Sequence, residues 1–202
     1  MRNGLLLALA TLLVSYPALS QARFGIKAGM NLANQKKTFV VPPLLATMQN
    51  TQPLLAYQVG GFYKVKLGKH AALSAEPALS VVGSRSTLVA PDMTSYRTKE
   101  RIGYLELPLF FQYSVGKWYA GAGPGIGFRL FSKLAGFENR TFDVDYYRTL
   151  ETNGNLLLGF AVGKQLDINL RYSHGFSNAL KDPGSSSIRN RSLQLSVLYY
   201  LE

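Results

Sequence analysis

The sequence predicts an all-β fold, an eight-stranded antiparallel up-and-down barrel that crosses a membrane, with short turns at one end and long loops at the other. Three observations carry this prediction. Strand-length stretches alternate apolar residues with small or polar ones at a period of two, the mark of strands that meet different surroundings on their two sides. Three Gly-Lys turns recur, Leu67-Gly68-Lys69, Val115-Gly116-Lys117 and Val162-Gly163-Lys164, at spacings of 48 and 47 residues. That period describes a repeated strand, long loop, strand unit, which puts all the short turns at one end. Finally, no position on any of the apolar faces carries a charge.

Residues 1–20 read as a secretory signal peptide, with Arg2 at its start, an apolar core from Leu5 to Val14 and small residues around Ala18 and Ser20. Cleavage after Ser20 or after Ala22 fits equally. The apolar core is shorter than the roughly 20 residues a membrane-spanning helix needs. Residues 21–202 form the barrel domain.

The first strand is expected from Arg23 to Leu32, with Phe24, Ile26, Ala28, Met30 and Leu32 on its apolar face. A polar loop over 33–54 follows, containing Pro42, Pro43 and Pro53. Strand two runs from Leu55 to Leu67 and strand three from Ala71 to Gly83, joined by a tight turn at Gly68-Lys69. After a loop over 84–100, strands four and five occupy Tyr104 to Leu130. They form a hairpin at Gly116-Lys117, where a leading Gly suits a type II′ turn because it accepts positive φ. The fifth strand has four glycines on its second face: Gly121, Gly123, Gly125 and Gly127. A long acidic and aromatic loop spans 132–153, and strands can extend some way into it. Strand six covers Gly154 to Gly163 and strand seven Leu166 to Gly175. A loop over 177–190 leads to strand eight, Ser192 to Leu201. Pro77, Pro108 and Pro124 fall inside strands and are expected to mark bulges, since each lacks a ladder donor.

Alternation alone does not choose between a soluble barrel with an apolar interior and a membrane barrel with an apolar exterior. The composition of the faces does. The faces opposite the apolar ones hold nine charges, Arg23, Lys27, Lys64, Lys66, Glu76, Glu106, Arg129, Asp167 and Arg171, among small and amide residues. A narrow eight-stranded lumen suits such a filling, because it is only wide enough for side chains. A lysine or arginine at mid-depth on the lipid side would cost about 2–4 kcal/mol. Charged residues are 16% of the chain, against roughly 25% in soluble proteins. Tyr57, Tyr113, Trp118, Tyr172 and Tyr199 lie near strand ends, as an interfacial aromatic belt requires.

Composition excludes several function classes. The chain has no Cys, so disulfides and thiolate chemistry are ruled out. The net charge is +11 but scattered, so nucleic acid is not an expected partner. The spaced glycines of 121–127 lack a nucleotide-binding pattern.

Three segments resemble the outer membrane β-barrel domain proteins of Bacteroidota, the PorT-like or porin-family group: Tyr104-Leu105-Glu106-Leu107-Pro108-Leu109, Gly121-Ala122-Gly123-Pro124 and Arg171-Tyr172-Ser173-His174-Gly175-Phe176-Ser177-Asn178. The resemblance covers nearly all of the mature chain. It implies an eight-stranded barrel in the outer membrane and implies little about activity. The chain departs from the usual terminal aromatic residue of such barrels by ending Tyr199-Tyr200-Leu201-Glu202.

No catalytic, cofactor-binding or metal site is expected. Glu76 and Glu106 point inward on adjacent strands and are expected each to lie beside a basic side chain, Lys27, Arg129 or Arg171, rather than form a paired-carboxylate site. Ser173 and His174 project to opposite faces and cannot make a dyad. Lys36, Lys37, Lys181, Arg189 and Arg191 are candidates to meet anionic lipopolysaccharide from the loops. The expected function is a structural or surface-binding barrel with a side-chain-filled lumen. A narrow channel and a lipid A-modifying enzyme remain the alternatives. Expected partners are outer-membrane lipid and lipopolysaccharide, the barrel-assembly machinery and an extracellular ligand or protein held by the loops.

Overall fold

A computed structural model describes residues 22–41, 44–49, 51–89, 95–137, 140–182 and 186–201; the expected signal peptide lies outside them. The strands are β1 (Ala22–Val41), β2 (Leu44–Gln49), β3 (Thr51–Lys66), β4 (Ala71–Ala75), β5 (Ala78–Val89), β6 (Ser95–Val115), β7 (Trp118–Phe137), β8 (Arg140–Asp143), β9 (Leu150–Ala161), β10 (Leu166–Gly175) and β11 (Ser187–Leu201). They make eight staves. β2 and β3 both pair with β1 and form one stave. β4 and β5 both pair with β6, and β8 and β9 both pair with β7. All pairings are antiparallel, and β1 closes the ring against β11 from Phe24↔Leu201 to Thr38↔Ser187. Closure leaves no sheet edge, the condition for β-structure to span hydrocarbon.

The faces divide as their composition requires. Leu105 and Leu195 stand 43% and 48% exposed on the outer wall, whereas Arg171 and Lys27 inside are 0% and 1% exposed. An exterior of leucine, valine and aromatic side chains around a buried charged filling is the inverse of a soluble barrel. Lumen glycines make room for inward rings. A Cβ on Gly159 would sit 2.1 Å from the Tyr119 ring and one on Gly25 2.7 Å from Phe62. Gly116 has φ +60°, as a tight hairpin with a leading glycine demands.

Several expectations are corrected. The strands run well past the apolar band: most of the expected loops 33–54 and 84–100 is strand, strands extend into 132–153 as expected, and β11 reaches back to Ser187 in the expected loop 177–190. The period of two continues there, but the outward face becomes charged and polar while the inward face mixes polar side chains with one apolar layer. Of the three Gly-Lys turns, Gly116-Lys117 is a two-residue turn, and the other two connections span 67–70 and 162–165. Pro77 does interrupt its stave, between β4 and β5. Pro108 and Pro124 cause no bulge, since β6 and β7 keep one register from Tyr104↔Arg129 to Val115↔Trp118. The Pro108 carbonyl accepts from the Glu76 amide, so its donor-less nitrogen faces the gap that Pro77 already opens.

Candidate functional site: the filled lumen and the outer rim

Each stave sends alternate side chains inward, and these fill the lumen in layers. At the short-turn end, Tyr200 donates to Asp167 at 2.7 Å, and the Phe62 ring meets Tyr200 edge-on at 4.8 Å. The Arg23 guanidinium lies 3.7 Å over Tyr200, and the Lys64 ammonium 4.2 Å over Tyr119. Cations over rings neutralise part of their desolvation cost without an anion.

The next layer holds the two glutamates. Lys27 Nζ donates to Glu76 at 2.6 Å. Arg171 donates to Glu106 at 2.9 Å and to Gln58 at 3.2 Å, and its Nε donates to Gln194 at 2.8 Å. Each carboxylate therefore has its own cation, as charges buried in a confined interior must. Phe110 and Leu157 pack with Tyr119 beside this layer. Above it, Asn190 donates to Glu151 at 2.7 Å and accepts from Gln35 at 3.0 Å. A cavity of about 20 Å³ beside Tyr104, Glu106 and Glu151 is the size of one water molecule.

Toward the long-loop end an apolar layer crosses the lumen. Ala33, Val82, Ile102, Tyr104 and Ile188 come from the wall, and Tyr147, Ala179 and Leu180 from two connections folded inward. Tyr147 and Leu180 form a backbone bridge, reinforced by Lys181 N to Tyr146 O at 2.9 Å. Over this layer Glu100 accepts from Lys37 at 2.5 Å, Tyr146 at 2.6 Å and Tyr147 at 2.9 Å. Burial and then the Glu100 charge push the Tyr146 hydroxyl above its ordinary pKa, so it remains a donor. Asp145 ties the inward connection to the wall, accepting from Lys181 at 2.6 Å and Arg129 at 2.7 Å. Those bonds hold its carboxyl below the ordinary range.

The basic residues expected on loops are placed differently. Lys37 points inward and is spent on Glu100, and Lys181 is held by Asp145. Lys36, Arg189 and Arg191 do face outward, but from β1 and β11 rather than from loops. Sequence reasoning missed a larger group on the opposite wall, Arg85, Arg97, Lys99, Arg101 and Lys133, because 84–100 and 132–153 read as loops. It missed Glu100 and Glu151 for the same reason, whereas Tyr147 enters the lumen from a connection between strands. Continued alternation through 98–102 was the available signal. Ser173 points inward and His174 outward, where His174 contacts the Tyr172 hydroxyl at 3.3 Å. Among the described residues no group of three or more His, Asp or Glu side chains is placed to hold a metal.

Two solved structures align with the chain. Ail, the attachment invasion locus protein of Yersinia pestis, aligns at 12% identity over 90% of this chain and 99% of its own, with a TM-score of 0.48. Neisserial surface protein A aligns at 8% identity over 87% and 96%, with a TM-score of 0.51, and shares the fold. No curated protein matches the chain. The family model for the outer membrane protein β-barrel domain matches residues 15–181. With its closed eight-stave ring and apolar exterior, the chain belongs to the outer membrane protein β-barrel domain family.

Proposed function

We propose that this barrel is a sealed outer-membrane protein with a structural or surface-binding role, exported by residues 1–20 and working through its outer end. The observation that carries this reading is the continuous filling of the lumen. Lys27–Glu76 and Arg171–Glu106 occupy one layer, and the Tyr147–Leu180 bridge lies across another. A solute path would require breaking buried ion pairs, each removal costing about 3–5 kcal/mol. Glu76, Glu100 and Glu106 are matched to cations, Glu151 and Asp167 accept from Asn190 and Tyr200, and His174 touches aromatic rings on the far side of the wall from Ser173. These features support a non-enzymatic role. The finer affiliation to the Bacteroidota PorT-like group rests on the Tyr104–Leu109, Gly121–Pro124 and Arg171–Asn178 segments. The strands that rise past the apolar band support the outer end as a binding surface, since binding residues concentrate where a rigid scaffold meets its loops.

The test is planar-bilayer conductance of the folded full chain. The reading expects no steady ion current from the wild type, and a current only when Tyr147 and Arg171 are both truncated. A stable single-channel conductance in the wild type would replace it with the narrow-channel alternative.

A further inference from the structure

The outer wall changes character at one height. Above the apolar band, five basic side chains stand outward on three neighbouring strands, Arg85 on β5, Arg97, Lys99 and Arg101 on β6, and Lys133 on β7. Their register brings like charges face to face, with Arg85 opposite Lys99 and Arg101 opposite Lys133. Like charges directly opposed across a ladder are destabilising. The ion pairs among described residues are Lys27–Glu76, Lys37–Glu100, Arg129–Asp145, Arg171–Glu106 and Lys181–Asp145, and none relieves this patch. Asp143 is the register partner of Lys133 on β8 without forming an ion pair to it.

A crevice of about 390 Å³ opens directly beneath Arg101 and Lys133. Its walls are Leu55, Tyr57, Val81 and Phe131. The crevice exists because the ladder between β3 and β5 opens there. Pro53 pairs with Ser84 and Gln58 with Ser80, so four residues of β3 (54–57) face three of β5 (81–83). From the lumen side Asn31 Nδ2 reaches the released carbonyls of Tyr57 at 3.4 Å and Val81 at 3.2 Å. The seam is thus satisfied internally and left open externally. Phe131 packs over Gly103, where an added Cβ would be 2.2 Å from its ring, and so forms one side of the recess.

We propose that this seam is a lateral docking site for a phosphorylated, acylated lipid of the outer leaflet. Its phosphate would sit between Arg101 and Lys133, and an acyl chain would run down the crevice along Leu55, Tyr57 and Val81. Cationic donors at the polar boundary and an apolar slot below match the two halves of such a lipid, and a phosphate between Arg101 and Lys133 relieves their repulsion. The proposal rests on the outer-membrane placement but not on the sealed lumen.

The test uses the folded full chain in dodecyl maltoside, with bound lipid counted by native mass spectrometry. The probes are bisphosphorylated lipid A, the same lipid stripped of phosphate, and inorganic pyrophosphate. The wild type is expected to retain the bisphosphorylated lipid, at least tenfold better than the stripped one, with pyrophosphate a weak competitor. R101Q/K133Q is expected to reduce retention at least tenfold. The charge-preserving R101K/K133R and the opposite-wall K36Q/R189Q are each expected to retain most of it. Heat-modifiability on gels verifies folding of every variant. Equal retention by R101Q/K133Q and the wild type overturns the site. Equal losses in R101Q/K133Q and K36Q/R189Q reduce it to diffuse charge and overturn it too. Full displacement by pyrophosphate would make it a free-anion site instead. A conducting wild type that still retains lipid through Arg101 and Lys133 would remove the sealed-lumen reading and leave this one standing.

Discussion

The same strands build two zones of opposite polarity. Within the apolar band, β6 sends Leu105, Leu107, Leu109 and Phe111 outward and Glu106 and Gln112 inward. A few residues earlier it sends Arg97, Lys99 and Arg101 outward and Ile102 and Tyr104 inward. β11 repeats the change, with Leu193 and Leu195 outside Gln194, then Arg189 and Arg191 outside Ile188. A membrane barrel and a water-facing barrel are thus joined end to end in one wall, whose ladders run on with interruptions that include the β3–β5 seam and the shift at Gly103/Tyr104. The lesson is that what surrounds the wall decides which face is apolar. In hydrocarbon the exterior must be apolar and the interior may hold ion pairs. In water the rule is that of an ordinary core, with a layer of buried side chains under a charged shell.

The largest effect that probes this contrast is in the membrane zone. Glu76→Ala leaves Lys27 buried without its carboxylate and next to the Arg171 charge, and is expected to cost about 3–5 kcal/mol. Urea unfolding in lipid vesicles measures it. Replacing both partners, as in Glu76→Leu with Lys27→Met, should recover most of the loss, because two fitted apolar groups leave no orphan charge. Failure of the double variant to recover would mean that the pair fixes strand register rather than merely balancing charge.

A matched pair of wall substitutions sharpens the comparison. Val197 is the central outward residue of the five that β11 shows to lipid, between Ala28 and Ile168. Val197→Arg is expected to cost about 2–4 kcal/mol. Arg189→Leu, on the same face of the same strand but above the inversion, is expected to change stability by less than about 0.5 kcal/mol. Equal costs would show that no solvent boundary lies between these positions. A smaller effect belongs to the inward connection. Tyr147→Phe removes a buried donor to Glu100 and is expected to loosen that segment by about 1.5 kcal/mol. Faster amide exchange confined to 144–149 and 178–181, with an unchanged barrel, would report it.

The membrane zone was legible because each of its strands repeats one rule: the alternation of Leu105 to Tyr113 against Glu106 to Ser114 gives a strand, and the absence of charge from every apolar face turns that face to lipid. The pairing of Glu76 and Glu106 with cations followed from confinement, although Lys27 and Arg171 as the specific partners depend on ring closure, which brings β1 and β10 across from β4–β6. The outer zone was opaque for a physical reason. Its outward residues are polar, like those of a loop, and its inward residues mix Glu100 and Lys37 with Ile102 and Ile188. Alternation persists, but the faces change sign partway along a strand, so a reading that extends one face by hydrophobicity stops at the membrane boundary. Tyr147 was beyond reach altogether, since it enters the lumen from a connection rather than a strand. Its place depends on the bridge to Leu180, some thirty residues away in the chain.

The smallest expected effect is a pH dependence at the junction between the zones. Asp145 holds the inward connection through Lys181 and Arg129, and these hydrogen bonds depress its pKa in the folded state. A depressed carboxyl contributes stability that is fully present above the ordinary carboxylate pKa and is lost as pH falls through the lowered folded value. Amide exchange at 144–149, corrected for its intrinsic pH dependence, should therefore be flat between about pH 5 and 7 and rise only at lower pH. Asp145→Asn should keep the segment at its loosened level throughout and abolish the acid step. Amide exchange on the membrane-zone strands, followed in the same experiment, is the reference. A step at the same pH in both zones would mean that the inward connection opens only when the whole barrel does.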